Sequence, residues 1–112
     1  MNSFRLFWKD KELGTILGLS ADQPEMYGSL DPPKLNPPFR ELYEFITDED
    51  NYDKEPPFDA ELLNDENWYL LDAQGNRWDV YLPAIYPDDF MVCWRWRGEI
   101  PKWSSGRTSR ST

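Results

Sequence analysis

The chain of 112 residues contains no histidine, one cysteine and no long apolar run. Without histidine, Ser-His-Asp and Cys-His catalysis and most zinc sites are excluded. A single cysteine, Cys93, cannot form a disulfide within the chain, which fits a reducing compartment. The lack of a long apolar run predicts neither a signal peptide nor a membrane span. We therefore expect a cytoplasmic protein that does not act at a membrane.

Other signatures of catalysis are missing as well. The sequence has no glycine-rich loop for phosphates and no dinucleotide-binding fingerprint. Only Arg95 lies near enough to Cys93 on the same strand face to lower its pKa, so we predict an unreactive thiol. Acids are so frequent that no particular carboxylate pair stands out as a glycosidase site. We therefore expect neither an enzymatic activity nor a cofactor.

The run Asp48–Asp53 gathers carboxylates, which are ligands that calcium prefers. An EF-hand loop, however, requires an acid or amide at the place of Tyr52 and a glycine at the place of Asp53. We therefore predict a solvated acidic loop and no metal site. Weak binding of a divalent cation by this loop is the alternative.

Positive charge is scarce, and the acids are concentrated in one part of the chain. The net charge is −9, from 12 Lys and Arg against 21 Asp and Glu. Between Glu41 and Glu66 there are eleven acids and one base, Lys54, while the end of the chain from Arg95 onward is basic. Binding to phosphate backbones needs a basic surface, so nucleic acid is not the expected partner.

The acidic segment, residues 41–66, predicts a small protein–protein interaction domain with a basic partner. Concentrated charge accelerates the encounter with an oppositely charged protein. Tyr43, Tyr52 and Phe58 are candidate aromatic anchors. An immunity-like or inhibitor-like role is the concrete form of this hypothesis. The predicted partner-binding residues are Glu44, Asp48, Glu49, Asp50, Tyr52, Asp53 and Glu55.

Aromatic residues are abundant, with six each of Trp, Tyr and Phe. In residues 90–97, FMVCWRWR, the alternation of a strand places Phe90, Val92, Trp94 and Trp96 on one face. This pattern predicts a central strand over an aromatic core. The alternative is a carbohydrate- or small-ligand-binding module that uses exposed tryptophans. Its predicted ligand-binding residues are Trp94, Arg95, Trp96 and Arg97.

The remaining patterns predict a single α+β domain over residues 1–98 and a basic, disordered tail over residues 99–112. Asn36 and Pro37 are typical of a helix start, and Phe39, Leu42 and Ile46 recur at helical spacing. We expect the order β-β-β-α-β-β-β, an antiparallel sheet of about six strands with one main amphipathic helix on one face. The predicted strands are residues 4–9, 12–19, 26–30, 68–72, 77–82 and 90–97, and residues 84–89 are predicted to be a loop.

Three stretches, FRLFWKDKELGTILGL, YGSL and NWYLLDAQGNRWDVYLPAIY, resemble small uncharacterised single-domain bacterial proteins. The resemblance covers residues 4–97. No activity, ligand or catalytic residue is known to us for such proteins, so the resemblance implies none here. In size, acidity and lack of histidine the chain is also similar to bacterial immunity and inhibitor proteins.

Overall fold

The computed structural model describes residues 3–22 and 24–100. The helices are α1 (Phe39–Ile46) and α2 (Ala60–Leu63), with 3₁₀ turns at Glu49–Asn51 and Asp65–Asn67. The strands are β1 (Phe4–Trp8), β2 (Lys11–Asp22), β3 (Glu25–Asp31), β4 (Trp68–Leu71), β5 (Arg77–Asp79), β6 (Ala84–Tyr86) and β7 (Met91–Arg95). Most of the predicted tail, residues 101–112, lies outside the described residues. No helix in the described part is long and apolar enough to span a membrane.

One antiparallel sheet contains all seven strands, in the order β5-β4-β1-β2-β3-β7-β6. The predicted α+β fold with an antiparallel sheet is therefore confirmed, with seven strands instead of about six. The additional strand is β6, so the prediction of a loop over residues 84–89 was wrong for its first half. Pro83 suggested that the strand stops, but Ala84 and Ile85 pair with Cys93 and Val92 of β7.

The two ends of the sheet meet, because β5 and β6 are successive parts of the same stretch of chain. β5 pairs with β4, whereas β6 pairs with β7. Between them, Val80 forms an antiparallel bridge with Trp96. The Tyr81 N–H donates to the Arg95 carbonyl at 3.1 Å, and the Arg97 N–H donates to the Asp79 carbonyl at 2.9 Å. The sheet therefore rolls up and closes along β7.

The interior of this rolled sheet follows the strand alternation. Val92 and Trp94 of β7 point inward as predicted, and Trp94 is 3% exposed. Phe90 departs from the predicted pattern, because it precedes the strand in a turn with a φ of 59°. The buried apolar residues are Phe4, Leu6, Ile16, Met26, Leu30, Phe39, Leu42, Tyr43, Leu62, Trp68, Leu70, Val80, Ile85, Val92 and Trp94.

Helix α1 covers part of the sheet with the apolar face that the spacing predicts. The ring of Phe39 contacts Trp8 and Trp68 edge-on, with centroids 5.7 Å and 5.9 Å apart. The helix begins at Phe39 with Pro38 at the cap position, two residues later than the predicted start at Pro37 with Asn36 as the cap. Asn36 contributes only its backbone carbonyl, which accepts from the N–H groups of Phe39 and Arg40. Pro37 and Pro38 lack N–H donors, so the first helical hydrogen bonds form after them.

Candidate interaction surface

The acidic segment, residues 41–66, is attached to the rolled sheet by hydrogen bonds from its inner side. The Trp8 indole donates to the Glu61 carbonyl at 3.0 Å, and the Trp68 indole donates to the Leu62 carbonyl at 2.9 Å. The Glu61 carboxylate forms an ion pair with Lys9. On the other side, the Leu82 N–H donates to the Asp65 carboxylate at 2.7 Å. These contacts place α2 and the following turn firmly against β1, β4 and the β5–β6 connection.

The short helices of this segment are capped by their own polar residues. The Asp48 carboxylate accepts from the Asp50 N–H, and the Asp59 carboxylate accepts from the Glu61 N–H, both at 3.0 Å. Such caps satisfy backbone donors that a short helix leaves unpaired. The Phe45 and Phe58 rings also meet edge-on at 5.7 Å, joining α1 to the loop before α2. The segment therefore has local order of its own.

Six carboxylates of the segment make no hydrogen bond or ion pair with any part of the chain that the structure describes. All six are exposed. They are Glu41, Glu49, Asp50, Asp53, Glu55 and Glu66. With a single lysine among the eleven acids, their charges add to a strongly negative surface potential. We call the exposed part of residues 41–66 the acidic surface.

Four of the predicted partner-binding acids lie on this acidic surface with carboxylates that have no hydrogen-bond or ion-pair partner among residues 3–22 and 24–100: Glu49, Asp50, Asp53 and Glu55. Glu44 is paired with Arg40 at 3.3 Å, and Asp48 is used as a cap. Both have a role within the fold, although both are exposed.

The three candidate aromatic anchors differ sharply in exposure. Tyr52 is 94% exposed and lies between Asp50 and Asp53 in the chain. Tyr43 is fully buried against Trp68 and cannot serve as an anchor, because α1 turns it inward. Phe58 is half-buried and packs on Phe45. Tyr52 is therefore the aromatic side chain on this surface that is free for a partner.

The residues predicted for the alternative ligand site do not form an exposed tryptophan platform. Trp94 is buried, and the partly buried Trp96 packs edge-on against both Phe4 and Trp94. Arg95 is exposed and forms an ion pair with Glu25 at 3.5 Å. Arg97 lies 3.9 Å from the Asp79 carboxylate and donates to the Val80 carbonyl. Both indoles therefore belong to the core, and the arginines face the outside of the sheet.

A depression of about 320 Å³ lies on the outer face of β3, β7 and β6. Two of its wall residues, Tyr81 and Tyr86, are 47% and 39% exposed. Neither tyrosine was among the predicted site residues. The alternation around Tyr81 places it opposite the core-facing Val80, but only the pairing with β7 brings it into the same depression as Tyr86 and Cys93. The lining residues are Glu25, Tyr27, Tyr81, Leu82, Ala84, Tyr86, Met91, Cys93, Trp94 and Arg95.

Glu25 dominates the electrostatics of this depression. The Tyr27 hydroxyl donates to the Glu25 carboxylate at 2.9 Å, and this hydrogen bond, with desolvation and the negative charge, raises the pKa of Tyr27 to about 12. Burial raises the pKa of Cys93, and the charges of Glu25 and Asp89 add to the effect. The phenol and the thiol are therefore both protonated at neutral pH.

No group of three or more His, Cys, Asp or Glu residues is placed to hold a metal ion in the described part of the chain. Comparison with protein-family models, with curated proteins and with solved structures found no match.

Proposed function

We propose that the protein binds a basic protein partner through the acidic surface, with Tyr52 as the central anchor. The observation that supports this most is that an almost fully exposed aromatic ring lies close in sequence to several carboxylates that have no ion-pair or hydrogen-bond partner in the described part of the chain. Asp50 and Asp53 flank Tyr52 in the chain, and neither has a partner within the described residues. An immunity-like or inhibitor-like role is the form that such binding would take.

The two features would contribute differently to binding. The concentrated negative charge would speed the encounter and orient a cationic partner, and this contribution falls with ionic strength. The Tyr52 ring would supply apolar contact area, as tyrosines at the centre of interfaces commonly do. Because Tyr52 is 94% exposed, its ring adds little to the stability of the free protein.

Photo-crosslinking tests the proposal. A photoreactive phenylalanine at position 52 should capture a basic protein in cells of the native host. The same probe at position 17, where Leu17 is 42% exposed on β2, is the matched control. The captured protein, once purified, should bind with an affinity that falls as salt is added. Capture of only neutral or acidic proteins, or binding that is independent of salt, would contradict the proposal.

A second candidate function is binding of a carbohydrate or another small ligand in the tyrosine-lined depression. The supporting observation is that two exposed tyrosines, Tyr81 and Tyr86, line the same depression as the Arg95–Glu25 ion pair. Aromatic faces bind the apolar side of a sugar, and the charged pair would bind its hydroxyl groups. Titration of a sugar panel followed by NMR should shift the amides of β6 and β7. A panel that shifts none of these amides would remove this candidate.

A further inference from the structure

Two thirds of the positive charges in the described part of the chain have a carboxylate partner. Residues 3–22 and 24–100 contain nine Lys and Arg residues, and six of them have a carboxylate oxygen within 4.0 Å. The three without such a partner within these residues are Lys11, Lys34 and Lys54. All five arginines of these residues have such a partner, whereas Lys9 is the one lysine among them that does.

Two of the three unpaired lysines, Lys11 and Lys34, line the same depression. It has a volume of about 390 Å³ and lies between the start of β2 and the connector that leads into α1. Leu13, Leu35 and the edge of the nearly buried Phe39 form its apolar wall, which is smaller than the polar part of its lining. The other lining residues are Glu12, Asn36 and Pro37.

Glu12 is the one acid that lines this depression in the described part of the chain. Its carboxylate lies 4.0 Å from the Arg5 guanidinium, so its charge is already partly balanced. The Asn36 side chain brings an amide that can donate hydrogen bonds. The depression therefore combines two unpaired cations, an amide donor and an apolar wall in a protein that is otherwise strongly negative.

We propose that this depression binds a small carboxylic acid with an apolar body, such as a medium-chain or aryl acid. The ligand carboxylate accepts charge-assisted hydrogen bonds from Lys11 and Lys34, which are stronger than neutral ones. The apolar body covers Leu13 and Leu35 and removes their surface from water. An inorganic anion would engage the lysines alone and leave the apolar wall exposed. The depression has the size of ordinary small-ligand sites, about 300–1,000 Å³.

The test is an NMR titration of the full chain with octanoate, octan-1-ol and acetate. Octanoate should produce saturable shifts in the amides of residues 11–13 and 34–39. Octan-1-ol lacks the charge and acetate lacks the apolar body, so both should bind much more weakly. The proposal would be overturned if octan-1-ol or acetate bound as tightly as octanoate. It would also be overturned if octanoate shifted only the amides of other residues, or none at all.

Single substitutions of the unpaired lysines sharpen this test. Lys11→Gln and Lys34→Gln should each weaken octanoate binding about tenfold, the value of one charge-assisted hydrogen bond. Lys54→Gln is the matched control, since it removes an unpaired lysine on the acidic surface, away from the depression. If Lys54→Gln weakens binding as much as the other two, the effect comes from net charge and the site assignment is wrong. If a variant fails to fold, the titration of the unsubstituted chain with the three ligands still tests the proposed site.

Discussion

Val80 and Trp96 lie opposite each other in an antiparallel bridge that joins the two ends of the sheet. The bridge exists because residues 77–79 pair with β4 while residues 84–86 pair with β7. A rolled sheet leaves few unpaired strand edges, and such edges are the usual sites of unwanted association. It also brings Leu82 to Asp65, so the closure helps to position the acidic surface.

Hydrogen exchange tests the closure of the sheet directly. The amides of Tyr81 and Arg97 donate to backbone carbonyls across the bridge, so they should exchange slowly, as amides of paired strands do. The Glu55 amide, which has no acceptor in the described part of the chain, is the fast-exchanging reference. If Tyr81 and Arg97 exchange as quickly as Glu55, the sheet is open at this point in solution.

Gly28 on β3 tolerates no side chain. A Cβ at this position would overlap Ile16 Cγ2 and lie 3.0 Å from the Leu17 carbonyl oxygen. Gly28→Ala should therefore lower the free energy of unfolding by roughly 1–3 kcal/mol through overpacking. Ser29→Ala, at the exposed neighbouring position, should change it by less than about 0.5 kcal/mol. Urea unfolding of both variants measures the difference, and equal stabilities would contradict the packing described for β2 and β3.

Asp72 organises the turn between β4 and β5. Burial acts to raise its pKa, but hydrogen bonds from Trp78, Asn76 and Gln74 outweigh this and hold the pKa below the ordinary value of 3.8. The carboxylate therefore stabilises the fold above its unfolded-state pKa, and this stabilisation is lost as the pH falls through the lower folded-state pKa.

Asp72→Asn removes the charged acceptor of the Trp78 indole, which donates at 3.0 Å. We expect a loss of roughly 1 kcal/mol of unfolding free energy at neutral pH. The difference in unfolding free energy between the variant and the unsubstituted chain should shrink once the pH is well below 3.8. Urea unfolding at both pH values gives the comparison. A gap that does not change with pH would show that the charge of Asp72 has no part in stability.

Cys93 should react slowly with alkylating agents in the folded protein. Burial, together with Glu25 and Asp89, raises the pKa of its thiol, and the thiolate is the reactive form. Iodoacetamide at neutral pH should therefore modify the native protein more slowly than the urea-unfolded chain. Glu25→Gln removes one of the negative charges and should speed the native reaction. A native thiol that reacts as fast as the unfolded one would contradict this prediction.

Residue patterns predicted the parts of the fold that depend on local periodicity. The helix face with Phe39 and Leu42 and the inward row with Val92 and Trp94 are both present. The closure through Val80 and Trp96 was not predicted, because pairing between residues sixteen positions apart leaves no periodic trace. Pro83 also favoured the wrong prediction of a loop over residues 84–89, since a proline usually ends a strand.

Some features of the candidate site were predicted from the sequence and others were not, for a similar reason. Charge density alone indicated the acidic surface, and Tyr52, one of the predicted anchors, is 94% exposed. Tyr43 has the same residue type and was predicted as an anchor, yet its place on the apolar side of α1 buries it. The depression with Lys11 and Lys34 joins two parts of the chain that lie far apart in sequence, so only the folded structure brings them together.

The most direct test of the acidic surface as a binding site is to measure the affinity of a captured basic partner for two charge variants of equal net charge. Asp50→Asn with Asp53→Asn removes two carboxylates of the acidic surface, whereas Asp10→Asn with Asp88→Asn removes two exposed carboxylates elsewhere. We predict about tenfold weaker binding for the first pair, about 1.4 kcal/mol, and little change for the second. Equal losses for both pairs, or none for either, would contradict the role of the acidic surface.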